Sequence, residues 1–181
     1  MEFSHIPVLL QETVTGLCIK PDGVYVDGTA GGGNHSFAIG SKLSSSGLLI
    51  CTDRDGDAIA ACEKKLKPLA CRKEILRSSF NRIPDILAER NLKADGLLVD
   101  LGVSSHQLDE SSRGFSYMQD GPLDMRMDAS GGLSAADLIR ESSQRELERI
   151  FFVYGEERYS KRIAAAIVER REVSPISTTL E

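Results

Sequence analysis

Aspartate closes three apolar runs in this chain: Val24-Tyr25-Val26-Asp27, Leu48-Leu49-Ile50-Cys51-Thr52-Asp53 and Leu97-Leu98-Val99-Asp100. Short apolar runs, broken by turn residues and separated by helix-like stretches, read as buried strands of a parallel sheet. In such a sheet the carboxyl ends of the strands line the ligand crevice. Three carboxylates are therefore expected to converge on one site, which repels diphosphates and attracts a cation, a diol or an amine.

The first run gives way to Gly28-x-x-Gly31-x-Gly33. Glycines there permit positive φ and let a ligand approach the backbone. A dinucleotide fingerprint begun at Gly31 and Gly33 meets Ser36 at its third glycine place. Asp53 follows the glycines by about 20 residues, the spacing of a ribose-diol acceptor. Its alternative role is to cap the next helix. Asp27 stands where a dinucleotide's pyrophosphate would pack. S-adenosylmethionine carries a sulfonium, an ammonium and a ribose diol but no phosphate, so it suits three carboxylates better than NAD. The alternative for Asp27 is hydrogen bonding to its own glycine turn.

Other chemistry-bearing residues exclude more than they assign. Asp53-Arg54-Asp55-Gly56-Asp57 has its glycine misplaced for a calcium loop and Lys64 at the twelfth place. His5, His35 and His106 lack metal spacing, and His35 reads as a neutral packing or hydrogen-bonding residue. Cys18, Cys51, Cys62 and Cys71 show no CxxC pair and read as reduced thiols. No metal is expected. Asp100-Leu101-Gly102-Val103-Ser104-Ser105-His106-Gln107 puts polar groups at the switch point of the sheet. An acceptor there could hold an amino group for methyl transfer, or Asp100 or Ser104 could cap a helix.

Helices over 34–43, 57–67 and 84–90 and a weak strand at 74–76 complete a βαβαβαβ order. That order implies a parallel sheet with strand order 3-2-1-4. Pro68 and Asn91 read as helix stops. Residues 102–132 form a loop too long for an ordinary connection. Helices over 134–140, with Ser134 as cap, 145–154 and 156–171 follow. The last places Tyr159, Ile163 and Ile167 on one apolar stripe. Its Arg158, Lys161, Arg162, Arg170 and Arg171 could bind RNA phosphates, or form a solvated face with Glu156, Glu157, Glu169 and Glu172.

The chain has 181 residues and a formal net charge of -5, so nucleic-acid contact requires a local basic patch. No stretch approaches the ~20 apolar residues of a membrane span, and Met1-Glu2-Phe3-Ser4-His5 lacks the features of a signal peptide. A cytoplasmic protein without membrane contact is expected. Pro175 to Glu181 reads as the opening of another helix. In the 3-2-1-4 order, the strand ending at Asp100 is an apolar edge. Both features suggest a chain that continues, with further strands covering that edge.

Arg113-Gly114-Phe115-Ser116-Tyr117-Met118-Gln119-Asp120-Gly121-Pro122-Leu123-Asp124-Met125-Arg126-Met127-Asp128 closely resembles the signature of the bacterial RsmH (MraW) family. His5-Ile6-Pro7-Val8-Leu9-Leu10, Asp27-Gly28-Thr29, Asp53-Arg54-Asp55, Asp100-Leu101-Gly102-Val103-Ser104-Ser105 and Tyr154-Gly155-Glu156-Glu157-Arg158 agree in order and spacing, as does 163–170. The resemblance covers essentially the whole chain. It implies a Rossmann-like α/β methyltransferase sheet with a helical insertion after the fourth strand. The domains expected are 1–104 for the sheet, 105–176 for the insertion and 177–181 for the start of a return segment.

The implied activity is S-adenosylmethionine-dependent methylation of cytosine N4 in the decoding region of 16S ribosomal RNA. The resemblance leaves room for a homodimer. By motif position it implies cofactor contacts from Gly33, Asn34, His35, Asp53, Phe80, Asp100 and Gln107. The family usually has glycine where Asn34 stands and proline where His106 stands. Asp100, with Ser104 or Ser105 nearby, is the first choice for holding the target amine, and Asp124 and Asp128 come after it. Arg126, Arg158 and Arg162 are candidates for RNA phosphate. The 114–128 loop has an internal reading too, in which Arg126 pairs with Asp124 or Asp128 and its methionines fill a core. The competing functions are a non-catalytic remnant that keeps part of the cofactor site and, disfavoured by Asp27, a nucleotide-dependent oxidoreductase.

Overall fold

A computed structural model describes residues 9–181 of the chain. His5 to Val8 of the first motif, and the opening five residues, lie outside the described residues. The chain falls into two compact units, one ending at Ser104 and the other spanning Ser105–Glu181.

In the first unit the chain runs α1 (Leu10–Gly16), β1 (Val24–Asp27), α2 (Asn34–Gly40), β2 (Leu48–Asp53), α3 (Gly56–Leu66), β3 (Arg72–Arg77), a 3-10 turn (Phe80–Arg82), α4 (Ile83–Glu89) and β4 (Gly96–Leu98). The strands are parallel and lie in the order β3-β2-β1-β4, as the βαβ reading requires. Side chains alternate across the pleat. Tyr25, Leu49 and Cys51 pack with Val14, Ile39, Cys62 and Leu66 on one face, whereas Val26, Leu48 and Ile50 meet Ile83 and Ile86 on the other.

The boundaries follow local chemistry. Asp55 caps α3 by accepting from the Asp57 amide at 3.1 Å, so the acidic run 53–57 supplies the helix cap. Asn91 takes φ of 52° just past α4, a conformation asparagine tolerates. One element was not foreseen, and two expected strands need correction. α1 is a helix that sequence periodicity did not reveal, anchored through buried Val14 without a side-chain cap. β3 extends to six residues by pairing along β2. The fourth strand stops at Leu98, not Asp100, because its pairing with β1 ends where Asp27 meets Leu98.

The second unit contains α5 (Ser105–Asp109), a 3-10 turn (Ser111–Arg113), α6 (Ala135–Glu141), α7 (Gln144–Val153) and α8 (Ser160–Val173). Ser134 caps α6 through a reciprocal box with Asp137. α8 begins four residues later than expected, after Glu156 takes φ of 51°. Its buried face is also different. Tyr159 is 62% and Ile163 37% exposed, while Ser160 and Ala164 are buried. The small residues admit close approach to a neighbouring helix. Arg171 donates to the Ile139 and Ser142 carbonyls at the end of α6, the latter at 2.8 Å.

No helix forms after Val173 among the described residues. Thr178 instead bridges Pro122 in antiparallel fashion, and the Leu123 and Thr179 amides donate to the Ser177 and Gly121 carbonyls. Glu181 accepts from the Ser177 and Thr178 amides, which is half of a capping pattern without the helix.

Candidate functional site

The register of the sheet sets three aspartates at two levels. Asp27 aligns with Cys51 on one side and Leu98 on the other. Asp53 and Asp100 therefore each lie two residues further along than Asp27. The lower carboxylate is fully buried. It accepts from the Ser36 hydroxyl at 2.5 Å and the Thr29 amide at 3.2 Å, and the Cys51 thiol donates to Ser36 in turn. Burial raises the Asp27 pKa, against the opposing pull of Ser36 and Thr29. The Cys62 thiol, together with burial, likewise pushes the Cys51 thiol up. Asp27 thus shapes the turn, which leaves Asp53 and Asp100 as the carboxylates above it in the register.

Asp53 is half-buried and holds the loop above it. Its Oδ2 accepts from the Gly31 amide at 2.8 Å and its Oδ1 from the Asp55 amide at 2.9 Å. A carboxylate has about four acceptor sites, so two amide bonds leave capacity for a diol. Asp100 lies beyond β4 and is exposed, with its backbone amide donating to Thr29 Oγ1 at 2.6 Å.

The loop over 28–33 is tied down from both flanking strands, and the Gly28 amide donates to the Leu98 carbonyl of β4 at 2.8 Å. Thr52 Oγ1 donates to the Gly28 carbonyl at 3.1 Å, and the Ala30 amide donates to the Thr52 carbonyl at 3.0 Å. Gly28 is required by packing, since a Cβ there would lie 2.9 Å from Ile83 Cδ1 and 3.1 Å from Phe80 Cβ. Gly31 and Gly33 take φ of 50° and 79°, and Gly33 is the N-cap of α2. A Cβ at Gly31 would meet nothing closer than the Thr29 carbonyl at 4.0 Å, so the loop backbone faces open space. Phe80 flanks it at 42% exposure. His35 is buried at the start of α2, and Asn34 beside it accepts from Lys65 Nζ.

In the second unit, Gln107 is buried on α5 and Ser105 opens that helix. Asp124 and Arg126 are paired bidentately, Nε to Oδ1 at 2.9 Å and Nη2 to Oδ2 at 2.6 Å. Arg126 holds the Asp124 carboxyl below the usual range. Arg113 donates to the carbonyls of Arg126 and Met127. A Cβ at Gly114 would lie 2.1 Å from the Pro122 carbonyl oxygen, and one at Gly121 2.0 Å from that of Ser111. These glycines let backbone pack on backbone, which accounts for their place in the signature. The pairing half of the internal reading is thus present. The core-filling half is not, because Met118 is 80% and Met125 46% exposed. Arg158 and Arg162 are exposed, and Arg162 lies over the Tyr159 ring.

The first unit therefore brings Asp53, Phe80, Gly33, Asn34 and His35 around one glycine loop. Sequence reasoning did not single out Thr29, Thr52 or Lys65 as positioning groups. Thr52, a hydroxyl inside an apolar run, was the visible signal. This donor set fits a ligand with a diol and a flat ring: a carboxylate with spare acceptors, an aromatic ring and an open glycine backbone. Among the described residues there is no cluster of three or more His, Cys, Asp or Glu suited to a metal, and no helix long and apolar enough to cross a membrane.

Comparison with known proteins places the whole chain. The model of the MraW methylase family matches residues 2–181. Ribosomal RNA small subunit methyltransferase H of Heliobacterium mobile is 48% identical over 183 residues, covering 100% of this chain and 59% of that protein. The protein of the same name from Clostridium botulinum is 52% identical over 182 residues, covering 100% and 59%. The chain thus spans rather more than half the length of the curated relatives it matches. Among solved structures, NSun6 from Pyrococcus horikoshii is similar with a TM-score of 0.46 and 23% identity, over 54% of this chain and 24% of that one.

Proposed function

The chain belongs to the MraW methylase family, and on that premise we propose that it acts in S-adenosylmethionine-dependent methyl transfer to the exocyclic N4 of a cytosine in the decoding region of 16S ribosomal RNA. The observation that carries this reading is Asp53, which grips the glycine loop through one oxygen and keeps acceptor capacity beside a backbone open to a ligand.

In this reading Asp53 accepts from the ribose diol, Phe80 lies against the adenine, and Gly33, Asn34 and His35 shape the loop around the remainder. Asp100 and Gln107 complete the contacts. When bound, the cofactor supplies an electrophilic methyl group on a sulfonium. Cytosine N4 is a poor nucleophile because its lone pair is delocalised into the ring. Asp100, assisted by Ser104 and Ser105, accepts hydrogen bonds from the amino group and holds it in line, which is catalysis by positioning and electrostatics. The base has to be unpaired or flipped to reach such a pocket. Arg158 and Arg162 contact phosphate. Asp124 and Arg126, bound to one another, are assigned to holding the signature loop. The chain acts in the cytoplasm, on small-subunit RNA.

Two measurements test this. Calorimetry with the full chain is expected to give S-adenosylmethionine binding and no NADH binding, and tighter NADH binding overturns the cofactor assignment. Radiolabelled methyl is expected on cytosine N4 of small-subunit RNA or assembling subunits. Cofactor binding without any label in RNA overturns the transfer and leaves a binding remnant.

A further inference from the structure

Asn34 opens α2 immediately after the left-handed Gly33. Its side-chain oxygen accepts a hydrogen bond from Lys65 Nζ, in the last turn of α3. The same helix already supports the loop backbone. A Cβ at Gly33 would lie 3.3 Å from Cys62 Cα and 3.6 Å from Lys65 Cβ, and residues three apart share a helix face. One face of α3 therefore braces Gly33 by contact and grips Asn34 by a charged donor. Both partners are half-buried, and hydrogen bonds with an ionised donor are the stronger kind.

Resting on the cofactor reading above, we propose that Lys65 is a positioning residue for cofactor binding: it clamps Asn34 and so holds the Gly33–Asn34 turn in the shape that receives the ligand. The physical need comes from asparagine itself. Asparagine side chains compete for neighbouring backbone groups and offer the chain alternatives to the helix. Without its lysine, the amide oxygen competes for the backbone of the first turn of α2 and redirects the loop. Lys65 engages that oxygen. A glycine at 34 would present no such group, so the lysine matters only while asparagine is there.

The dependence gives a test that a merely structural lysine would fail. In the full chain, Lys65→Met is expected to weaken S-adenosylmethionine binding about fivefold to tenfold by calorimetry, the scale of one ordinary hydrogen bond acting through the loop. Lys65→Arg restores most of that affinity. In an Asn34→Gly background, Lys65→Met has no further effect. The backbone amide NMR signals of Gly33 and Asn34, recorded without ligand, shift in Lys65→Met. Unchanged affinity in Lys65→Met overturns the proposal, as does the same loss in both backgrounds, which marks general support of the fold. If the unaltered chain binds no S-adenosylmethionine, the cofactor reading falls with the positioning role, and the NMR shifts alone decide whether the clamp exists.

Discussion

Asp53 joins two tasks at one carboxylate, bracing the glycine loop through the Gly31 amide and shaping the next turn through the Asp55 amide. Replacing it removes both. Asp53→Ala is expected to cost about 1–3 kcal/mol of stability, the range for buried groups stripped of their partner, as read by urea unfolding. S-adenosylmethionine affinity is expected to fall at least about tenfold in calorimetry, the scale of one charged contact. Asp53→Asn keeps an acceptor oxygen for the loop, so its stability loss is smaller while the affinity loss persists. Asp27 shows the opposite economy of position. Two residues lower in the register, it is enclosed by Ser36 and Thr29 and serves the turn.

At the scale of elements, the Ser134 cap was legible in the sequence. Ser134 and Asp137 form their reciprocal box at the head of α6, and Ser134→Ala is expected to cost about 1 kcal/mol by urea unfolding. The box also predicts an acid response. The Ser134 hydroxyl, its amide and Arg140 lower the folded Asp137 pKa from 3.8 to about 2. A carboxyl whose folded pKa lies below its unfolded value stabilises the fold fully above the unfolded value, and that contribution is lost as the pH falls through the folded one. Stability of the second unit is therefore expected to decline from about pH 5 towards pH 2, and Asp137→Asn should flatten that part of the profile. α8 marks where element-level reading failed. Its Tyr159–Ile163–Ile167 stripe has helical spacing, yet the buried face is built from Ser160 and Ala164. Periodicity finds apolar stripes but not close helix contacts made through small residues.

At the scale of the molecule, β4 has three residues and, among the described residues, pairs only with β1. Leu97 on it is half exposed, and an apolar edge of this kind invites pairing with other chains. Leu97→Lys is expected to lower concentration-dependent association in light scattering, and unchanged association would show that the edge is not the contact. The strand order, α2, α3, α4 and the location of the glycine loop were legible in the sequence, because hydrophobic period and turn residues are local properties that report which face is buried. The family was legible for the same reason: the signature over 113–128 is a contiguous run, and its glycines are required by backbone contacts as close as those of Gly114 and Gly121. Tertiary structure alone decided the ranking of the three aspartates. Each ends a run of the same composition, but register puts Asp27 beneath the other two, and burial turns its carboxyl inward while Asp53 keeps its place beside the open loop. It alone also joined Lys65 to Asn34, since a bond across 31 residues depends on how α3 returns over the sheet, and no local pattern encodes that return.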